Sequence, residues 1–174
     1  PMRSSAASDV YKRQVKALLF DVFGTVVDWR TGIAIEVQMI AKKYNIELNA
    51  DDFADAWRAE YQPAMEQIRS GKRSFTILDI LHLENLKKIA PRFNLNNLSN
   101  ADLNFLVTAW HRLPGWPDSS QGLNKLKKKF ILATQSNGNI ALMVNMAKYS
   151  NLNWDVILGA EVLGHYKPEP EAYI

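Results

Sequence analysis

The feature that most constrains the fold is a short apolar segment that ends at a carboxylate. Residues 15–20 are almost all apolar, and Asp21 follows them directly, with Gly24 and Thr25 a few positions later. Such a segment is typical of a buried strand of a parallel sheet that runs into a tight loop. Because ligands bind beyond the carboxyl ends of parallel strands, Asp21 is a candidate site residue.

Two blocks of different periodicity follow this strand. Residues 31–113 repeat their apolar side chains at helical spacing, whereas residues 114–174 alternate between helix and strand. Strand–helix–strand units require right-handed crossovers and a parallel sheet. The predicted fold class is therefore α/β, with a Rossmann-like parallel-sheet core built from residues 15–30 and 114–174 and an inserted all-helical cap at residues 31–113.

Individual elements can be placed inside these blocks. Strands are predicted at residues 130–134 and 156–159, and helices near residues 121–128 and 140–149, with a further helix starting at the C-terminus. Helix N-caps are predicted at the following polar residues: Asn49 or Asp51, Ser74, and Ser99 or Asn100.

Composition excludes several classes of function. The chain has no cysteine, which rules out disulfides and thiolate chemistry and suits a cytoplasmic location. The net charge is +3, and +2 of it comes from residues 1–14, which contain Arg3, Lys12, Arg13 and Asp9. The rest of the chain carries a net charge of only +1, so no basic surface for nucleic acid is predicted. No apolar run reaches the length of a membrane span. We interpret residues 1–14 as a disordered tail or a scar, because they show no hydrophobic period.

Polar residues follow the predicted strands at three places. Asp21 comes after the first strand, Ser136 and Asn137 come after the second, and Lys167 lies in a loop after the third. Lys167 is the natural charge partner of Asp21, Thr25 can offer its hydroxyl to the same carboxylate, and Ser136 and Asn137 can form an anion site at a helix N-terminus. Two simpler alternatives stay open: Asp21 caps a turn, and the Ser-Asn-Gly segment is an ordinary turn.

The histidines do not indicate a metal site. His82, His111 and His165 share no spacing typical of metal ligands. We therefore predict no metal and no cofactor.

Taken together, these motifs resemble those of the haloacid dehalogenase superfamily. The resemblance rests on Asp-Val-Phe-Gly-Thr at 21–25, Ser-Asn-Gly at 136–138, and Lys167-Pro168 followed by Tyr173. Within the superfamily the chain is most similar to the type II (S)-2-haloacid dehalogenases, hydrolases that form an ester between the first-motif aspartate and the α-carbon of a 2-haloacid. The resemblance implies a small-molecule substrate and leaves a homodimer open.

The roles implied by the resemblance fall on seven residues. Asp21 would be the nucleophile, Lys167 its charge partner and Thr25 its neighbour. The residues implied to contact the substrate or support the site are Ser136, Asn137, Phe23 and Tyr173.

Phe23 favours the dehalogenase branch on physical grounds. Phosphatases of the superfamily place a second aspartate two positions after the nucleophile, where it protonates the leaving group and helps to hold magnesium. Phe23 can do neither, but halide leaves without a proton, and an apolar wall favours a desolvated carboxylate nucleophile. A phosphatase-like or other hydrolase, and a non-catalytic relative, stay as alternatives.

The chain departs from the family pattern in two respects. In the family, an arginine early in the cap contacts the departing halide. By spacing, its position in this chain falls near Asp51 and Asp52, so Arg30 or Arg58 would have to replace it. The fourth family motif would lie beyond Ile174, so we expect the chain to be C-terminally truncated.

Overall fold

The structure, a computed structural model, describes residues 15–173, so the tail predicted for residues 1–14 lies outside the described residues. Its sheet contains two parallel strands, β1 (Ala17–Phe20) and β2 (Ile131–Thr134). Both strands lie within the segments predicted as strands. Their parallel pairing, with helices between and after them, confirms the predicted α/β fold class.

The first strand is less buried than its apolar sequence predicts. Val15 and Leu19 are each 62% exposed, whereas Leu132 of β2 is fully buried. The reason is the position of the strands, because β2 lies between β1 and the segment 156–159. Within residues 15–173, β1 pairs along one edge only. The prediction that residues 15–20 form a buried strand is therefore wrong for the outer face of β1.

The segment predicted as a third strand, residues 156–159, runs parallel beside β2 but forms only isolated bridges. The Thr134 hydroxyl donates to the Leu158 carbonyl at 2.6 Å and accepts from the Leu158 N–H at 2.9 Å. The Asp155 carboxylate likewise accepts from the Leu132 N–H at 2.9 Å. These side chains take the place of backbone partners, so a regular ladder does not form here.

The chain between the two strands is helical up to the turn before β2. Its first five α-helices are α1 (Trp29–Lys43), α2 (Ala50–Ala59), α3 (Tyr61–Arg69), α4 (Leu78–Ile89) and α5 (Asn100–Val107), and 3-10 helices lie at Ala90–Phe93 and Thr108–Arg112. We call the region from Trp29 to Arg112 the helical block. Its aromatic core includes Trp57 and Trp110, each 1% exposed, with ring centroids 5.5 Å apart.

Two of the three predicted N-caps are confirmed. The Asn49 side chain accepts from two N–H groups at the start of α2, and the Ser99 side chain accepts from the Asp102 N–H at the start of α5. The prediction for Ser74 is wrong, because α4 begins at Leu78 without a side-chain cap. The residues before α4 are held extended, since Phe75 packs on the Tyr166 ring at 5.3 Å.

After the helical block come α6 (Ser119–Leu126), α7 (Ile140–Tyr149) and α8 (Ala160–Leu163). Both ends of α7 match the prediction, whereas α8 was not predicted. A 3-10 turn at Pro170–Tyr173 takes the place of the helix predicted at the C-terminus. Among the helices of residues 15–173, none is long and apolar enough to cross a bilayer.

The loop after β1 places the first site residue. The N–H groups of Val26 and Val27 both donate to the Val22 carbonyl, at 2.9 and 3.2 Å. Gly24 closes this tight turn at a φ of +86°, a left-handed conformation that favours glycine. The turn leaves Asp21 at the carboxyl end of β1, where the sheet faces the helical block.

Candidate active site

Asp21 lies at the centre of the candidate site. Its Oδ1 accepts a hydrogen bond from Lys167 Nζ at 2.9 Å, and its Oδ2 accepts one from the Thr25 hydroxyl at 3.1 Å. The carboxylate is 48% exposed, because it faces an open cleft rather than the interior. Within the described chain no backbone N–H donates to this carboxylate, which argues against the alternative that Asp21 serves only to cap the turn.

Lys167 is held in place at both its backbone and its side chain. Its ammonium also donates to the Gln135 carbonyl at 2.8 Å, and its backbone N–H donates to Asn137 Oδ1 at 2.8 Å. The Lys167 side chain is only 20% exposed. The ammonium therefore has little freedom to leave the Asp21 carboxylate.

A cleft of about 270 Å³ opens in front of Asp21. Four more of the predicted site residues line it with Asp21, namely Phe23, Asn137, Lys167 and Tyr173. Phe23 also packs edge-on against Trp110, with ring centroids 6.2 Å apart, so it is both a core residue and a wall of the cleft.

Ser136 does not line this cleft, although the sequence places it in the site. It is 3% exposed, it lines a neighbouring cavity, and its hydroxyl accepts from the Gly138 N–H at 3.2 Å. The Glu161 carboxylate accepts from the Ile140 N–H at 2.8 Å, so an acid occupies one N–H group at the start of α7, beside the predicted anion site. Glu161 belongs to the unpredicted helix α8, and the anion site at Ser136 and Asn137 stays a prediction.

Three residues of the helical block complete the cleft: Arg58, Tyr61 and Gln62. The Arg58 guanidinium lies 3.8 Å from the centroid of the Tyr61 ring and forms no ion pair within residues 15–173. From the sequence, Tyr61 is one of four aromatic residues expected to pack the cap, of which one or two could also roof the pocket, and nothing in the sequence indicates Gln62. Their position depends on how the helical block packs over the sheet, which local patterns do not reveal.

The two arginines proposed from the sequence have different surroundings. Arg30 is engaged by carboxylates of α2, at 2.8 Å from Asp55 and 3.1 Å from Asp51, and it does not line the cleft. Asp52 lies in the first turn of α2 and does not line it either. Of these residues, Arg58 alone reaches the cleft.

The loop that carries Lys167 is tied to the helical block by Tyr166. This side chain is fully buried, and its hydroxyl donates to the Thr76 carbonyl at 2.7 Å. Burial raises the pKa of the Tyr166 phenol above its ordinary value, so the phenol stays a donor at neutral pH.

In the part of the chain that the structure describes, no three His, Asp or Glu side chains converge as metal ligands.

Comparison with known proteins gives matches over almost the whole chain. The sequence model of the haloacid dehalogenase-like hydrolases matches residues 15–174. The structure of the defluorinating L-2-haloacid dehalogenase Rha0230 is 47% identical, with a TM-score of 0.90 over 99% of this chain and 70% of that chain. The L-2-haloacid dehalogenase PA0810 is 41% identical, with a TM-score of 0.87 over 92% of this chain and 68% of that chain.

A more distant structure shares the fold. It is the L-2-haloacid dehalogenase from Xanthobacter autotrophicus with chloropropionic acid covalently bound, at 20% identity and a TM-score of 0.77 over 92% of this chain and 62% of that chain. At this identity the likeness supports the fold alone. No curated protein sequence matches the chain.

Proposed function

This chain belongs to the haloacid dehalogenase-like hydrolases, and from that premise we propose that it hydrolyses the carbon–halogen bond of a short 2-haloacid through an ester on Asp21. The observation that carries the proposal is the Lys167 ammonium 2.9 Å from the Asp21 carboxylate, in a cleft where Phe23 stands in the place of a second acid. Two similar structures above 40% identity, Rha0230 and PA0810, are L-2-haloacid dehalogenases.

The proposed reaction has two steps. A carboxylate oxygen of Asp21 attacks the α-carbon of the 2-haloacid, and the electrons of the carbon–halogen bond leave with the halide. Water then adds to the ester at the Asp21 carboxyl carbon, which releases the 2-hydroxy acid, restores the carboxylate and yields one proton. The Lys167 ammonium, 2.9 Å from Asp21 Oδ1, holds the attacking carboxylate in place, and the halide needs no acid to leave.

The remaining cleft residues are proposed to bind the substrate. Arg58 supplies a cation without a carboxylate partner in the described chain, suited to the substrate carboxylate or the departing halide. The Asn137 amide and Tyr173 line the same cleft. Ser136, whose hydroxyl accepts from the Gly138 N–H, is proposed to support the loop rather than to contact the substrate.

The helical block is proposed to be the cap domain predicted at residues 31–113. It contributes Arg58, Tyr61 and Gln62 to the cleft, whereas Asp21 and Lys167 come from the loops of the sheet. Homodimer formation, a cytoplasmic location and the absence of a cofactor stay predictions.

Replacing Arg58 with alanine should weaken substrate binding. Loss of one charge-assisted contact to an anion is expected to raise KM for 2-chloropropionate about tenfold or more. Arg30→Ala is the matched control, because Arg30 is bound to Asp51 and Asp55 away from the cleft and its loss should leave KM within about twofold. Equal KM values for the two variants would contradict the role given to Arg58.

Chloride release from 2-chloropropionate, compared with phosphate release from p-nitrophenyl phosphate, tests the proposed function. We expect chloride release that is unchanged by EDTA, because Phe23 replaces the acid that phosphatase relatives use with magnesium. Phosphate release that requires magnesium would favour the phosphatase alternative. Binding of 2-chloropropionate without any halide release would favour a non-catalytic relative.

A further inference from the structure

Arg69, the last residue of α3, connects the helical block to the loop that carries Lys167. Its Nη1 donates to the Lys167 carbonyl at 3.2 Å, and its Nη2 donates to Gln62 Oε1 at 3.3 Å. Glu66, one turn earlier on the same helix, accepts from the Arg69 guanidinium at 2.9 Å. The side chain is only 15% exposed, so this arginine is largely enclosed between the two parts of the chain.

The backbone of Lys167 is therefore held from two directions. Asn137, in the loop after β2, accepts its N–H at 2.8 Å, and Arg69 of the helical block donates to its carbonyl. From this backbone position the Lys167 ammonium reaches Asp21 Oδ1 at 2.9 Å. A guanidinium that contacts a carbonyl makes a charge-assisted hydrogen bond, the stronger kind.

The Arg69 contacts with Lys167 and Gln62 point in different directions, which suits a guanidinium. One nitrogen binds the Lys167 carbonyl and another binds the Gln62 side chain, which itself lines the cleft. The planar fork presents several donors in fixed directions, whereas a lysine ammonium is a single point charge. Arg69 does not line the cleft, so it would act on the reaction through Lys167 rather than by touching the substrate.

We propose that Arg69 is a positioning residue, which couples the docking of the helical block to the placement of the Lys167 ammonium against Asp21. The proposal rests on the function proposed above, since it assigns Lys167 as the charge partner of the nucleophile. Small displacements of a catalytic group lower reaction rates steeply, and a shift of about 1 Å can cost on the order of a hundredfold. Loss of Arg69 should therefore slow ester formation more than it weakens binding.

The rate of ester formation in the first turnover, measured after rapid quenching by mass spectrometry of the chain, tests this role. Arg69→Ala should lower the rate about tenfold to a hundredfold while the substrate concentration for half-maximal rate changes less than about threefold. Arg69→Lys should recover part of the lost rate, because it keeps a donor but not the fork. If the alanine variant does not fold, the lysine variant carries the test, and a wild-type rate in a folded Arg69→Lys overturns the proposal.

Arg112→Ala is the matched control for a purely structural role. Arg112 is 29% exposed and also binds one carboxylate, Glu36, and two backbone carbonyls, but all these partners lie in the helical block. Its removal should lower the melting temperature as much as the loss of Arg69 does and leave the rate within about twofold. Equal rate losses in the two alanine variants would overturn the proposal.

A double-variant cycle identifies the residue through which Arg69 acts. In a Lys167→Ala background, Arg69→Ala should lower the remaining rate by less than about twofold, because the group that it positions is already absent. A full additional loss would overturn the inference. Absence of any ester in the wild-type chain would instead overturn the proposed function, whereas a wild-type ester with an unaffected Arg69→Ala variant would overturn this inference alone.

Discussion

Replacing Asp21 with asparagine should lower first-turnover halide release by at least about 10⁴-fold, because an uncharged amide is a poor nucleophile. The change is nearly isosteric, so the contacts to Thr25 and Lys167 can be kept with the amide oxygen facing the ammonium. The measurement is chloride released per chain from 2-chloropropionate. The fold should be unaffected, which a thermal melt would check.

Asp28→Asn is the matched control for this variant. Asp28 caps α1 by accepting from the Thr31 N–H at 3.1 Å, and asparagine caps helices as well as aspartate does. Halide release by Asp28→Asn should stay within about twofold of the wild type. Retained release by Asp21→Asn would remove Asp21 from its proposed role.

We also expect His82 to make the fold less stable in acid. His82 is 2% exposed and stacks on Trp110, with ring centroids 4.3 Å apart. Within residues 15–173 neither of its ring nitrogens has a hydrogen-bond partner. Burial lowers the pKa of His82 from 6.5 to about 3, although the nearby Asp79 carboxylate opposes this shift.

The pKa of His82 is lower in the folded chain than in the unfolded chain, and this difference makes the free energy of unfolding depend on pH. Between about pH 6.5 and pH 3 the unfolded chain binds a proton at His82 and the folded chain does not, so the free energy of unfolding falls as the pH falls through this window. At pH 5 the loss is about 2 kcal/mol relative to neutral pH. Asp79 adds nothing to the loss at pH 5: burial raises its pKa, but hydrogen bonds from His111 and Asn139 outweigh burial and lower it below 3.8, so its contribution is lost only as the pH falls below 3.8.

His82→Phe should remove this loss. Phenylalanine keeps an aromatic ring against Trp110 and cannot take up a proton, so the variant should gain about 2 kcal/mol on the wild type between neutral pH and pH 5. Urea unfolding at the two pH values measures the change. His165→Asn is the control, because the His165 side chain is 42% exposed. The same pH dependence in His82→Phe and the wild type would contradict the assignment.

The sequence predicts those parts of the molecule that depend on local pattern. Both ends of α7 and the positions of β1 and β2 follow from apolar periodicity and length. The contact of Asp21 with Lys167 was predictable because residues that follow parallel strands meet at one edge of the sheet. No packing detail was needed for that inference.

What the sequence did not reveal depends on contacts between distant segments. The sequence named Arg58 beside Arg30 but could not choose between them, and it did not indicate Gln62, because both reach the cleft only where α2 and α3 pack over the sheet edge. The contact of Glu161, in a four-residue helix, with the Ile140 N–H at the start of α7 is another that local patterns do not reveal. The ladder at residues 156–159 is interrupted by side-chain hydrogen bonds, which strand propensity does not anticipate.

The measurement that tests the central claim most directly is peptide mass spectrometry of the chain after incubation with 2-chloropropionate. The account predicts a carboxyethyl ester on the peptide that contains Asp21, formed together with chloride and absent from the Asp21→Asn variant. Chloride release with the added group on another residue, or a phosphoryl group on Asp21 after incubation with p-nitrophenyl phosphate and no ester from the haloacid, would contradict it.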